Sequence, residues 1–413
     1  MEELNIKGAI AKECAQKLIN TSNIINSALL KMADNLEIKA NYILAENNKD
    51  IKRAKESGMN SQLLDRLQLN LERIGQISAG IRQVAKLDCP LGKVVHRGIN
   101  SKGLKIEKIT VPLGVVGIIY EARPNVTADA AVLCLKSGNA VILRGGKEAI
   151  NSNIAIVKVL TEAAVGAGLP EGCIQLIEDT SRESAMGLMK LNKYLDVIIP
   201  RGGAGLIRSV SENATVPAIE TGVGNCHIYI DKTANLEMAE KIVINAKTSR
   251  PSVCNSTEKL LIHEGISKSF LPKILDSLAK SGVEIKGCKK TCAIYSKATL
   301  IPSSEWPIEY LDLIIGVKVV KNIDEAINHI NEHSSSHSDA IITEDNENAE
   351  KFLSLVDSSS VYVNASTRFT DGFEFGLGAE IGISTQKVHA RGPVGLEGLT
   401  STKYIIRGEG QVR

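Results

Sequence analysis

From residue 115 onward the chain alternates short apolar runs with stretches of helical period, and few architectures accept that pattern. The runs 115–120, 140–143, 173–177, 195–199 and 216–219 are largely apolar. Between them, 126–136, 154–165, 183–191 and 204–212 carry the three- and four-residue spacing of helices. Strands of this kind, joined through helices, predict a parallel sheet covered on both faces. Ligands of such sheets bind outside the C-terminal ends of the strands. A second alternating region follows, with strands over 259–263, 283–285, 311–320, 340–342 and 361–364 and helices over 270–278, 324–330 and 349–356. The expected class is α/β, in two parallel-sheet domains.

The first ninety residues read as helices, with stripes such as Ile10, Cys14, Leu18 and Leu29, Met32, Leu36. The charged run 41–56 predicts a solvent-facing helix ended near Gly58. Residues 93–99 and 104–111 read as two strands around Asn100 and Gly103, an exposed hairpin that wants a partner along its edge. The glycine-rich segment from Asp371 is too apolar for a disordered tail, and it closes on a strand near Tyr404.

Composition removes several functions. A formal net charge of +2 and 3% aromatic residues argue against a nucleic-acid partner. No run approaches the roughly 18 apolar residues of a membrane span. The charged start of the chain lacks a signal-peptide core, so a cytoplasmic location is expected. Eight scattered cysteines make no disulfide framework. Cys288 and Cys292 lack the second pair that a zinc site needs. His333 and His337 fall in a stretch read as a loop, so no metal is expected.

The chemistry is expected at Cys254. Leu236, Ala239, Val243 and Ala246 mark a buried helical face that Pro251 must end. Residues 259–263 then read as a strand, leaving Cys254 on a helix-to-strand connection beside Lys247 and Arg250. Cations and free backbone N–H groups favour the reactive thiolate. Arg144, Gly145, Gly146 and Lys147 follow the strand ending at residue 143, a turn suited to phosphate before a helix. Basic groups there favour a 2′-phosphate, so NADP(H) is expected rather than NAD(H). A second such turn holds Arg201, Gly202 and Gly203, although the usual GxGxxG fingerprint is missing. Glu220 stands at a strand end before Gly222 and Gly224, where a carboxylate can face a cleft.

Several motifs together resemble one family. The run Val111-Pro112-Leu113-Gly114-Val115-Val116-Gly117 is similar to the strand that enters the cofactor domain of aldehyde dehydrogenases. Tyr120-Glu121-Ala122-Arg123-Pro124-Asn125 and Arg250-Pro251-Ser252-Val253-Cys254-Asn255 resemble the gamma-glutamyl phosphate reductases (glutamate-5-semialdehyde dehydrogenases) within that superfamily. Trp306, Glu309-Tyr310-Leu311-Asp312, His337-Ser338-Asp339 and Arg391-Gly392-Pro393-Val394-Gly395 extend the likeness over essentially the whole chain.

The resemblance implies an aldehyde-dehydrogenase-like fold of two doubly wound domains plus an oligomerisation β-ribbon. The NADP-binding domain would take 1–91 and 112–231, the catalytic domain 232–382, and the ribbon and tail 92–111 and 383–413. It implies NADPH-dependent reduction of L-glutamyl 5-phosphate to L-glutamate 5-semialdehyde through a Cys254 thioester, the second step of proline biosynthesis. Asn125 matches the side chain that helps stabilise an oxyanion, and Glu220 the general base of hydrolytic members. Arg250, Arg201 and Arg123 are the candidates for the substrate's anionic ends. A homodimer or homotetramer, and a functional contact with glutamate 5-kinase, are the expected partners. The sequence departs from hydrolytic relatives after Glu220 and just before Cys254, as expected where an acyl intermediate must not meet water. The nearest rival is a reductase of the same superfamily acting on another acyl phosphate or acyl-CoA; a non-catalytic NADP-binding scaffold, and a thiol hydrolase using His263 or His227, are readings from other classes.

Overall fold

The computed structural model describes residues 1–413, the side chain of Gln62 aside. The chain forms two compact units. The first comprises Met1–Thr221, Gly376–Gly382 and Val394–Arg413, and the second Gly222–Phe375 and Ile383–Pro393.

The first unit is built on a four-stranded parallel sheet in the order Ile174–Leu176, Ala140–Arg144, Val115–Tyr120, Val197–Arg201. All six residues of Val115–Tyr120 are buried, because helices cover both faces. The helix Pro124–Lys136, with Pro124 in its first turn, is apolar nearly all round and buried to match. The chain winds outward from Val115–Tyr120 through Ala140–Arg144, then returns to place Val197–Arg201 on the other side. The strand order therefore reverses beside Val115–Tyr120. The ends of these two strands, at Glu121 and Arg201, flank the crevice where such sheets take ligands.

Two expectations change here. Residues 216–219 form no strand but a single bridge from Ala218 to Ile198. Pro217 has no N–H to extend the ladder. The helix Ala40–Glu56 is not simply a solvated one, since Asn47 and Asp50 on it are buried. Asp50 accepts from the Ser152 backbone N–H at 2.8 Å, the Ser152 hydroxyl at 2.6 Å and Asn151 Nδ2 at 2.8 Å. Its carboxylate thus satisfies the open first turn of the helix Ile150–Gly166.

A separate antiparallel sheet of the same unit joins Val94–Ile99, Lys105–Pro112 and Thr400–Arg407, with Lys105–Pro112 in the middle. Asn100 Oδ1 accepts from the backbone of Lys102 and Leu104, and Gly103 takes φ +82°, which closes the turn. Val94, Val95, Ile99, Tyr404 and Ile406 remain exposed on the two outer strands.

The second unit holds a seven-stranded parallel sheet. Its order is Thr299–Leu300, Glu284–Gly287, Ile314–Val320, Thr257–His263, Cys226–Ile230, Ser338–Ile342, Ser360–Val363. Neighbouring residues of a strand feed opposite cores: Leu260 packs with Ile228, Val317 and Phe270, and Leu261 with Tyr229, Ile341 and Phe352. Cys226–Ile230 is hydrogen-bonded on both sides within this sheet. The units accordingly divide at Thr221/Gly222 rather than after residue 231. The apolar character of 226–230 does not say which sheet it joins. The stretch 383–413 is likewise shared, since Ile383–Ser384 pairs with Gly392–Pro393 in the second unit while 394–413 return to the first.

Candidate active site

The helix Leu236–Thr248 buries Ala239, Val243 and Ala246 and stops before Pro251. Residues 249–256 then turn the chain into Thr257–His263. Cys254, half-buried on this turn, stands at the N-terminal end of its strand. The Gly222–Asn225 loop and His337 also precede their strands. The second unit therefore gathers these candidate residues at the end opposite to the one expected for its sheet. Cys254 also follows a helix C-terminus, whose carbonyls favour positive rather than negative charge. Stabilisation of a thiolate here falls to side-chain cations.

The turn is fixed on several sides. A Cβ on Gly224 would stand 1.5 Å from the Cys254 carbonyl oxygen, so only glycine allows this approach. The Gly224 N–H donates to Glu309 Oε1 at 2.7 Å. The Cys226 thiol donates to the same Cys254 carbonyl at 3.2 Å. Asn255 Nδ2 donates to the carbonyls of Arg368 and Thr370, and Thr367 Oγ1 to that of Asn255. Arg368 Nε donates to Ser249 Oγ at 3.2 Å. Burial, then the nearby Arg250 charge, weakens the proton affinity of the Arg368 guanidinium, while Cys254 and Asp371 oppose that.

Lys247 is not a cation facing the thiol. Its ammonium is buried and pairs with Glu258 Oε1 at 3.1 Å. Burial pushes Glu258 up and Lys247 down, both toward their neutral forms, and the ion pair opposes this. Lys259, held by burial to a pKa of about 8, donates to Asn225 Oδ1 and the Ile308 carbonyl and lies 4.3 Å from the Tyr310 ring centre. Burial also raises the Cys226 thiol well above its ordinary range, so it stays protonated. Both histidines named for a hydrolase are engaged elsewhere. His263 caps the helix Glu264–Lys280, and His227 bonds the Asn225 carbonyl. His337, 3.8 Å from the Cys226 sulfur, is the histidine that this part of the site holds.

In the first unit Asn125 and Arg201 both act on Asp129. Asn125 Nδ2 donates to Asp129 Oδ2 at 3.1 Å, one turn along the helix Pro124–Lys136. Burial raises Asp129 to about 6, against the pull of Asn125 and of Arg201. Arg123 is the N-cap residue of that helix. The Gly203 N–H donates to Glu121 Oε2 at 2.8 Å, and a Cβ on Gly202 would strike the same carboxylate. Glu220 Oε1 accepts from Ser211 Oγ at 2.8 Å.

The first glycine turn is more mixed than its sequence suggests. Arg144 Nη2 donates to the carbonyls of Thr180 and Ser181 and so braces a neighbouring loop. Lys147 is exposed. The Glu148 carboxylate lies where a Cβ on Gly146 would go, an acidic group that the sequence reading passed over. A Cβ on Gly145 would meet Asn153 Nδ2 at 2.1 Å.

A profile of the Aldehyde dehydrogenase family matches residues 18–292. The chain is 58% identical over 412 residues to a gamma-glutamyl phosphate reductase of Clostridium perfringens, covering 100% of this chain and 99% of that one. The chain belongs to the aldehyde dehydrogenase family, among its gamma-glutamyl phosphate reductases. The crystal structure of gamma-glutamyl phosphate reductase from Thermotoga maritima is similar at 50% identity and TM-score 0.98, with 100% of both chains covered. An acetylating aldehyde dehydrogenase from Geobacillus thermoglucosidasius shares the fold at 20% identity and TM-score 0.69, over 100% of this chain and 98% of its own.

The structure adds Arg368 and Asp129 to the candidate site, and gives Glu309 and Gly224, named above only within motifs, a contact beside the Cys254 turn. Asp129 had a signal, four residues after Asn125 on one helical face. Arg368 had none, since its tie to Asn255 spans 113 positions.

Proposed function

We propose that the protein reduces L-glutamyl 5-phosphate to L-glutamate 5-semialdehyde and phosphate in proline biosynthesis, using NADPH. The observation that carries this reading is full-length similarity to gamma-glutamyl phosphate reductases, with Cys254 held on a turn beside two arginines. Cys254 attacks the acyl carbon, phosphate departs, and a thioester remains on the sulfur. Phosphate leaves readily, so no water need be activated, and Glu220 is left without a hydrolytic task. Asn125 is the proposed donor to the oxyanion, its amide oriented by Asp129. Asp129 suits the substrate's α-ammonium, and Arg201 and Arg123 are the proposed contacts to its α-carboxylate.

The first unit suits a dinucleotide. Gly145 and Gly146 allow close approach at a strand end, and the buried Asn153 Nδ2 beside Gly145 has no hydrogen-bond partner among the described residues. When bound, NADPH supplies the hydride that reduces the acyl group. Exposed Lys147 is the proposed contact to its 2′-phosphate, Arg144 bracing the turn, with Gly202 and Gly203 forming the second glycine approach. The exposed ribbon edges support a homodimer or homotetramer. The lability of an acyl phosphate favours a functional contact with glutamate 5-kinase. No described helix is long and apolar enough to cross a membrane, and we place the enzyme in the cytoplasm.

The test is to incubate purified protein with glutamate semialdehyde, phosphate and NADP. Phosphate-dependent appearance of the reduced nicotinamide is expected. Equal rates with and without phosphate would overturn the reading.

A further inference from the structure

Cys254 follows a helix C-terminus, where partial negative charge disfavours a thiolate. Lys247, the nearest lysine in sequence, is turned inward to Glu258. What stands at the thiol instead is a pair of like charges. Arg368 is half-buried, and the Arg250 charge lies close enough to raise further the cost of charging it. Among the described residues neither guanidinium forms an ion pair with a carboxylate, and the one hydrogen bond from the Arg368 side chain leaves through Nε. Two like charges, one partly desolvated and offset by Asp371 only from beyond ion-pair distance, are costly unless an anion joins them.

The placement of Arg368 is not that of a mobile surface arginine. It lies on the short turn Thr367–Phe369. Its carbonyl and that of Thr370 are tied to Asn255, and Thr367 Oγ1 returns a bond to Asn255. Ser366 Oγ reaches Asn245 of the preceding helix, and Thr370 Oγ1 bonds Ser338 and Tyr362. The cation is thus built into the same framework as the nucleophile, with a planar fork of donors that matches phosphate.

We propose that Arg368 and Arg250 form a clamp for the phosphoryl group of the acyl phosphate beside Cys254. The assignment rests on the function proposed above and deepens it. As the sulfur–carbon bond forms, the carbon–oxygen bond to phosphate breaks and its electron pair stays on the phosphate oxygen. The clamp stabilises that growing charge, and the departing group takes one proton from solvent to leave as hydrogen phosphate. In reverse, inorganic phosphate enters the same clamp before attacking the thioester.

The test uses inorganic phosphate as the probe and two readouts on the full-length protein. The first is the rate at which iodoacetamide alkylates Cys254 as phosphate is added. The second is the KM for phosphate in semialdehyde oxidation. In the wild type phosphate should protect Cys254. In Arg368→Ala the protecting concentration and the phosphate KM should both rise about 10- to 100-fold, the size of a lost charge-assisted contact. The KM for the cofactor should stay within about twofold, a split that general damage to the site would not give. Arg368→Lys keeps the charge and loses the fork, so it should fall between, and millimolar guanidinium should partly restore the alanine variant. Unchanged phosphate protection and phosphate KM in Arg368→Ala and Arg368→Lys would overturn the clamp. A wild type that turns over with phosphate yet shows no protection would also overturn it. A wild type protected by phosphate but unable to couple phosphate to NADP reduction would instead sink the proposed function.

Discussion

At the scale of single residues, the proposed chemistry turns on Cys254 and the groups that hold it. Cys254→Ala should abolish turnover in both directions while cofactor binding, followed by fluorescence titration, survives. Gly224→Ala is the sharper test of the framework, because its Cβ would overlap the Cys254 carbonyl. We expect turnover to fall at least about 100-fold, with a loss of roughly 1–3 kcal/mol in stability. Glu220→Gln should leave phosphate-dependent NADP reduction within about tenfold, whereas a base for the thiol would cost about 100- to 10,000-fold. Asp129 gives a signed pH prediction. Its pKa in the folded protein, about 6, lies above the ordinary 3.8. The unfolded chain therefore releases this proton first, and stability falls as pH climbs through that window. Asp129→Asn should gain thermal stability over the wild type above pH 6 and lose that advantage near pH 4. Cys254 was legible because a proline, an arginine and a change of period mark its turn. Arg368 was not, because its position depends on a contact between distant segments.

At the scale of elements, the strand and helix positions were largely readable, and their ends carried the surprises. Ala140–Arg144 and the turn after it were expected from an apolar run followed by glycines. That Arg144 braces Thr180 and Ser181 depends on where a neighbouring loop lies, which periodicity does not encode. The cofactor prediction therefore moves along the turn. Lys147→Ala should weaken NADP about tenfold more than NAD, while Arg144→Ala should weaken both alike. Equal losses for Lys147→Ala in binding titrations would contradict the contact. The run 41–56 shows the same limit from the other side. Charge density predicts a wet helix, yet Asp50 is the group that closes a neighbouring helix's open end.

At the scale of the whole molecule, acid and assembly are the measurable properties. His329 is buried between Trp306 and His333, and burial with nearby cations depresses its pKa to about 2. The unfolded chain protonates it below about 6.5, so acidification should destabilise the fold by about 2 kcal/mol at pH 5 through this residue alone. Urea denaturation of His329→Gln should lose that share of the pH dependence. Deleting residues 402–413 should abolish the proposed oligomer in sedimentation, since it strips an outer strand from the three-stranded sheet. That sheet has a further consequence, for the order in which the protein is made. Arg407 meets Glu107 across 300 positions of chain. During synthesis the ribbon's middle strand waits for this partner until translation reaches Thr400–Arg407, by which time the second unit has already been synthesised. Such a late, distant pairing is slow to form and leaves an open strand edge in the interim. A cell that makes this enzyme must therefore shield the nascent ribbon, and truncated products ending before residue 400 should be the ones that aggregate.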